Sequence, residues 1–137
     1  MIEDLEELTV PEPIVYGNEL FRGYHMILDC ASCNSATYNK EVFYQFLKDV
    51  AIEIGAVTYG PPMSAHLDSG NPNSTGWFIA QVLEGITQIT GNFITGTGEA
   101  YLDIVSSTPF DPEKVENLVR KTFQPGPCKI AFLARQA

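Results

Sequence analysis

Three cysteines, two histidines and one run of hydroxyl and amide side chains carry the chemistry this sequence can offer. Cys30-Ala31-Ser32-Cys33 has the CxxC spacing of a redox dithiol or of half a zinc site. A zinc site needs a second pair, and Cys128 stands alone in the sequence. A redox CxxC opens a helix, whereas Asn34 and Ser35 follow here, so the pattern reads as packing and loop thiols. His25 alternates with Ile27 and Asp29, and His66 stands apart. Neither has the spacing of a paired metal ligand, so structural histidines are expected and no metal site is predicted. Gly91, Gly96 and Gly98 fit neither a dinucleotide fingerprint nor a P-loop, and there is no nucleophile elbow. What remains is Gly85-Ile86-Thr87-Gln88-Ile89-Thr90-Gly91-Asn92-Phe93. Its Thr, Gln and Asn side chains can line a small-molecule pocket, or they can form a solvated sheet face.

The elements that would position these groups follow from hydrophobic period and turn residues. Tyr24 to Cys30 reads as a strand. Asn39 caps a predicted helix from Lys40 to about Gly55, with Val42, Phe43, Phe46, Leu47, Val50, Ala51 and Ile54 on one stripe. Ala56–Tyr59 reads as a short strand ended by Gly60-Pro61-Pro62, and Asp68–Ser74 as a loop. Trp77–Glu84, Ile86–Thr95 and Ala100–Ser106 read as strands. Asp111-Pro112-Glu113 starts a second helix that turns Val115, Leu118, Val119 and Phe123 inward. Gly126-Pro127 stops it, and Lys129–Arg135 is the last strand. The order β-α-β-β-β-β-α-β predicts an α+β fold: a two-layer α/β sandwich, mainly antiparallel, with two helices on one face of the sheet. Strand Trp77–Glu84 is apolar on both sides, with Trp77, Ile79 and Leu83 opposite Phe78, Ala80 and Val82. Two helices cover one face only, so a homodimer packed sheet on sheet is expected.

The chain has 137 residues, enough for one domain with a real core. Lys plus Arg is 8 and Asp plus Glu is 17, a formal charge of -9. That balance excludes nucleic acid and anionic membrane surfaces as partners. Residues 1–12 hold Glu3, Asp4, Glu6, Glu7 and Glu12 and no base, and without them the charge falls to -4. An acidic N-terminal arm, residues 1–20, is thus distinguished from a domain over 21–137. No apolar run nears the ~20 residues of a membrane span. The acidic start predicts no secretory signal, and the odd cysteine count suits a reducing cytoplasm.

The order of motifs resembles the small prokaryotic and phage-type S-adenosylmethionine decarboxylases. The resemblance is carried by Gly23-Tyr24-His25-Met26-Ile27-Leu28-Asp29-Cys30, Tyr59-Gly60-Pro61-Pro62, Thr75-Gly76, Ile89-Thr90-Gly91-Asn92-Phe93, Ala100-Tyr101-Leu102-Asp103-Ile104-Val105-Ser106-Ser107 and Pro109-Phe110-Asp111. The closing Phe132-Leu133-Ala134-Arg135-Gln136-Ala137 fits as well. It runs from Gly23 to Ala137 and leaves the arm outside. What it implies is a sandwich that dimerises through its sheet and an enzyme of polyamine (spermidine) biosynthesis, a lyase with no added cofactor. In that family a mid-chain serine splits the chain and leaves a pyruvoyl group that acts as electron sink. A histidine assists the splitting and a cysteine protonates the product.

At those positions the resemblance places different residues. The serine position falls at Thr87, or at Gly85 or Ile86 if the gap is set otherwise. The histidine position falls at Asn92 and the cysteine position at Ser107. The substrate side falls at Thr75, Glu84, Gln88 and Gly96, where Gly96 replaces an expected carboxylate. The resemblance therefore implies a pseudoenzyme that stays unprocessed, forms no pyruvoyl group, and either binds S-adenosylmethionine or a related nucleoside or regulates an active homologue. The alternative is an active decarboxylase, for S-adenosylmethionine or a related amino acid, self-processed at Thr87.

Overall fold

A computed structural model describes residues 21–136. The acidic arm, and most of the boundary drawn at residue 21, lie outside the described residues. Six strands and two helices follow in order: β1 Phe21–Cys30, α1 Lys40–Glu53, β2 Met63–Leu67, β3 Gly76–Val82, β4 Gln88–Ile94, β5 Glu99–Ser106, α2 Pro112–Phe123 and β6 Cys128–Gln136. The strands form one sheet in the order β2-β3-β4-β5-β1-β6, and every neighbouring pair is antiparallel. Both helices pack on one face. The α+β, two-layer, antiparallel reading of the sequence holds.

Each helix starts where its cap predicts. Asn39 Oδ1 accepts from the Val42 amide at 3.0 Å, and Phe43, Phe46, Leu47, Val50 and Ala51 are buried along the stripe of α1. Asp111 Oδ1 accepts from the Glu113 amide at 3.0 Å, with Pro112 in the first turn of α2. Val115, Val119 and Phe123 are the buried face of α2. Between helices and sheet sits an aromatic cluster. Phe43 and Phe93 ring centres are 4.6 Å apart, Phe93 and Phe123 4.9 Å, and Phe46 and Phe123 4.9 Å. Tyr38 closes it from the loop after β1, 5.1 Å from Phe93.

One strand stands elsewhere than the sequence reading places it. Ala56–Tyr59 is not a strand: it touches the sheet through a single bridge, Thr58 to Leu83. The edge strand is β2, Met63–Leu67, paired with β3 from Ala80 to Gly76. Both segments run along the same edge of β3, and Gly60-Pro61-Pro62 divides them. Two prolines supply no ladder donor, and Gly60 has φ +73°. The weakly apolar Met63-Ser64-Ala65-His66-Leu67, exposed at four of its five positions, carries little strand signal.

The outer face of the sheet has no covering layer among the described residues. Phe78, Val82, Tyr101 and Leu133 are each 40–50% exposed there. Strand pairing aligns Phe78 with Asn92 and Tyr101, and Val82 with Gln88 and Val105.

Candidate functional site

The turn between β3 and β4, Glu84-Gly85-Ile86-Thr87, meets the end of β5 at Ser107. Thr87 is buried, and its Oγ1 donates to Ser107 Oγ at 3.1 Å. The same Oγ1 accepts from the Ser107 amide at 2.9 Å. Ser107 Oγ also accepts from the Ile86 amide at 3.0 Å. Glu84 Oε1 accepts from the Val57 amide at 3.2 Å, and the Glu84 amide donates back to Val57 O at 3.0 Å. Two glycines make this approach possible. Gly23, at φ +153°, lets β1 close on β5: a Cβ there would sit 1.9 Å from Ser106 O. Gly85, at φ +64°, lets the turn close on Ser107: a Cβ there would sit 2.3 Å from Ser107 Oγ.

Of the residues singled out from the sequence, Thr87, Ser107 and Glu84 are brought together here. Gln88 begins β4 on the outer face, opposite Val82 and Val105. Asn92 lies further along that face, exposed, opposite Phe78 and Tyr101. Thr75 and Gly96 lie at the other end of the sheet, roughly 20 Å away along the seven residues of β3. There Thr75 Oγ1 accepts from the Ser69 amide at 3.2 Å, and the Gly96 amide donates to Pro72 O at 2.9 Å. Those contacts bind the Asp68–Ser74 loop to the β4–β5 turn.

Two further polar groupings emerge. On the outer face His25 Nε2 lies 2.8 Å from Asp103 Oδ1, and Arg135 reaches His25 Nδ1 at 3.5 Å. On the helix side Cys30 and Cys128 face each other across β1 and β6, their sulfurs 2.9 Å apart. The sequence leaves Cys128 alone, and the strand pairing gives it a partner. Cys33 and Tyr38 stand beside them. The Cys128 hydrogen bond and burial hold the Cys30 thiol far above its ordinary range, and burial pushes Cys33 up. Burial, then the Cys33 contact, raises Tyr38, whose hydroxyl donates to Gly98 O and Glu99 O at 3.1 Å each. Thiols held in this way are poor nucleophiles. Among the described residues no group of three or more His, Cys, Asp or Glu can hold a metal ion. No helix among them is long and apolar enough to cross a membrane.

A groove of about 740 Å³ opens between α1 and the segment 56–62, with Gln81 of β3 in its wall. Sequence reading passes over it. The signal available was parity: Trp77, Ile79 and Leu83 point inward, and Gln81 breaks that apolar series.

No family model matches the sequence, and no curated protein matches it either. A solved structure does match the fold. It is the adenosylmethionine decarboxylase from Aquifex aeolicus VF5, with a TM-score of 0.68, 13% identity, 84% of this chain covered and 91% of that one. At that identity the likeness establishes the fold, and the fold is that of an S-adenosylmethionine decarboxylase.

Proposed function

We propose that this chain is an S-adenosylmethionine decarboxylase-like protein that remains one continuous chain and does not decarboxylate. Its role is then to bind S-adenosylmethionine or a related nucleoside, or to pair with an active homologue, in the context of polyamine synthesis. One observation carries this reading: the Thr87 hydroxyl is engaged on both sides by Ser107. Forming a prosthetic carbonyl from the chain requires a hydroxyl that attacks the carbonyl of the residue before it. Thr87 offers the only side-chain hydroxyl in the turn Glu84–Thr87, and its hydrogen bonds direct that hydroxyl toward β5. Its β-branch further restricts the rotamer. Gly85 supplies no hydroxyl, and a side chain there would collide with Ser107. The residues present do not fit the pyruvoyl group, so no chemical step is routed through it. Ser107, an alcohol, is also a far weaker acid than the thiol that the resemblance expects at this position.

The uncovered outer face supports a homodimer, or a heterodimer with an active homologue, as part of this proposal. Phe78, Val82, Tyr101 and Leu133 supply apolar area around the His25–Asp103 pair. Intact mass of the purified protein tests the main claim. A single species of 15.1 kDa is expected. Two fragments summing to the chain, the second starting with a carbonyl-reactive group at Thr87, would establish the active alternative. Calorimetry with S-adenosylmethionine tests the binding role, and no heat up to millimolar ligand removes it. Gel filtration tests the dimer, which a monomeric profile at micromolar concentration removes.

A further inference from the structure

The groove beside α1 differs from the Thr87–Ser107 turn in one respect: a buried side chain in its wall has a polar atom that no described residue bonds. Gln81 is 4% exposed and lines the groove. Its Nε2 donates to Gly60 O at 3.3 Å and to Val82 O at 3.1 Å. Both partners are carbonyl oxygens, so the nitrogen must be the atom that faces them, and the orientation of the amide is fixed. Its Oε1 accepts no hydrogen bond from any described residue. Buried side-chain acceptors are rarely left so, and an unmet one in a cavity wall is a place for a donor from outside.

The surroundings define that donor. Ala51, Ala56, Val57 and Pro62 give apolar walls, and Tyr44 adds a ring whose hydroxyl is already engaged with Ser64 Oγ at 3.0 Å. The wall residues Ile52 and Val57 leave 68% and 58% of their surface exposed, which a bound apolar body would cover. Glu41 and Lys48 also line the groove, opposite in sign, so it carries little net charge of its own. A cation seated here would meet the Lys48 ammonium as well as the Glu41 carboxylate, so the groove offers it no net counter-charge for the hydration it loses. A neutral N–H keeps the hydrogen bond and avoids that loss.

We propose that this groove is a binding site for an apolar small molecule that presents one neutral N–H to Gln81 Oε1. The site is separate from the Thr87–Ser107 turn, and the inference stands whether or not the chain is processed.

The experiment is a titration of the ¹⁵N-labelled full chain with indole and with benzofuran, followed by amide shifts. The two probes have the same shape, and only indole has the N–H. Indole is expected to bind about 3- to 10-fold more tightly, the range of one net hydrogen bond. The shifted signals should include the Gln81 side-chain amide and the Val57 backbone amide. Gln81→Leu should abolish the preference while leaving benzofuran binding within about 2-fold. Should that variant not fold, Ile52→Glu, on an exposed helix position at the groove, should weaken both probes. Equal affinity of the two probes would overturn the proposal, and would mean that water already serves Oε1. So would shifts confined to the outer sheet face, or none with either probe at about 5 mM.

Discussion

Raising the pH above 9 should destabilise this protein by a route the structure specifies. Cys30 and Tyr38 lie on the helix side of the sheet, 2% and 8% exposed. Both are held protonated. Cys30 shares a hydrogen bond with Cys128, and Tyr38 donates to two carbonyl oxygens that a phenolate would face without a proton. Their folded pKa values lie above the unfolded ones, so their contribution is fully present below the unfolded pKa and is lost as pH rises past it. The unfolded values are about 9.0 for the thiol and 10.0 for the phenol. Each group then costs about 1.4 kcal/mol per pH unit once its unfolded form ionises. By pH 10.5 that is about 2 kcal/mol from Cys30 and about 0.8 from Tyr38, roughly 3 together. For a domain of this size the melting temperature should fall by roughly 10 °C between pH 8 and 10.5. Cys33 adds in the same direction. The assay is urea unfolding followed by circular dichroism at half-unit pH steps, with reductant present. Tyr38→Phe isolates the phenol: its stability should fall less steeply than wild type above pH 10, by about 0.8 kcal/mol at pH 10.5. Stability that stays flat within 0.5 kcal/mol from pH 8 to 10.5 would refute the reasoning. So would parallel curves for the two proteins above pH 10.

Three more outcomes follow from packing and closure. Phe123→Ala removes the ring that touches Phe43, Phe46 and Phe93, and should cost about 3–5 kcal/mol in denaturant unfolding. Gly85→Ala should cost about 1–3 kcal/mol more than Gly55→Ala. Both glycines have φ near +65°, but only at Gly85 would the new Cβ meet Ser107. Equal costs would show that the turn does not close on Ser107. In the native state at pH 7.5 a thiol reagent should label the cysteines slowly, and unfolding should release all three at once. Rapid native labelling of Cys30 would contradict its burial.

What was legible in the sequence is what hydrophobic period and local stereochemistry determine. The stripe from Phe43 to Ala51 and the caps at Asn39 and Asp111 signal their helices through side chains alone. The loop Asp68–Ser74 is equally plain. The edge strand β2 was not legible, because an edge strand needs little apolar burial and Met63–Leu67 has little. The meeting of Cys30 with Cys128 was not legible either. It depends on β6 pairing with β1, a contact between residues 98 positions apart. Alignment of motifs pointed to Thr87, Ser107, Thr75 and Gly96 as if they formed one group. The structure puts two of them at each end of a seven-residue strand. Strand residues that are close in sequence can lie far apart along the ladder, and only the register tells.

The two polar places on the β3 side of the sheet obey the same rule with opposite results. At the Glu84–Thr87 turn the polar atoms answer one another: Thr87 bonds Ser107, Ser107 bonds the Ile86 amide, and Glu84 bonds Val57. Of these only Thr87 is buried, and its hydroxyl both donates to and accepts from Ser107, so a substrate that needs it would have to replace bonds already made. At Gln81 the amide nitrogen donates to two carbonyl oxygens, and no described residue donates to the amide oxygen. A buried acceptor left without a donor costs about 1–3 kcal/mol, and a ligand N–H in the groove would supply that donor. At the turn, where the resemblance points, the Thr87 and Ser107 hydroxyls are thus engaged with each other. The Gln81 oxygen has no such partner among the described residues, in a groove lined in part by Gly60 and Pro62 of the Tyr59-Gly60-Pro61-Pro62 motif.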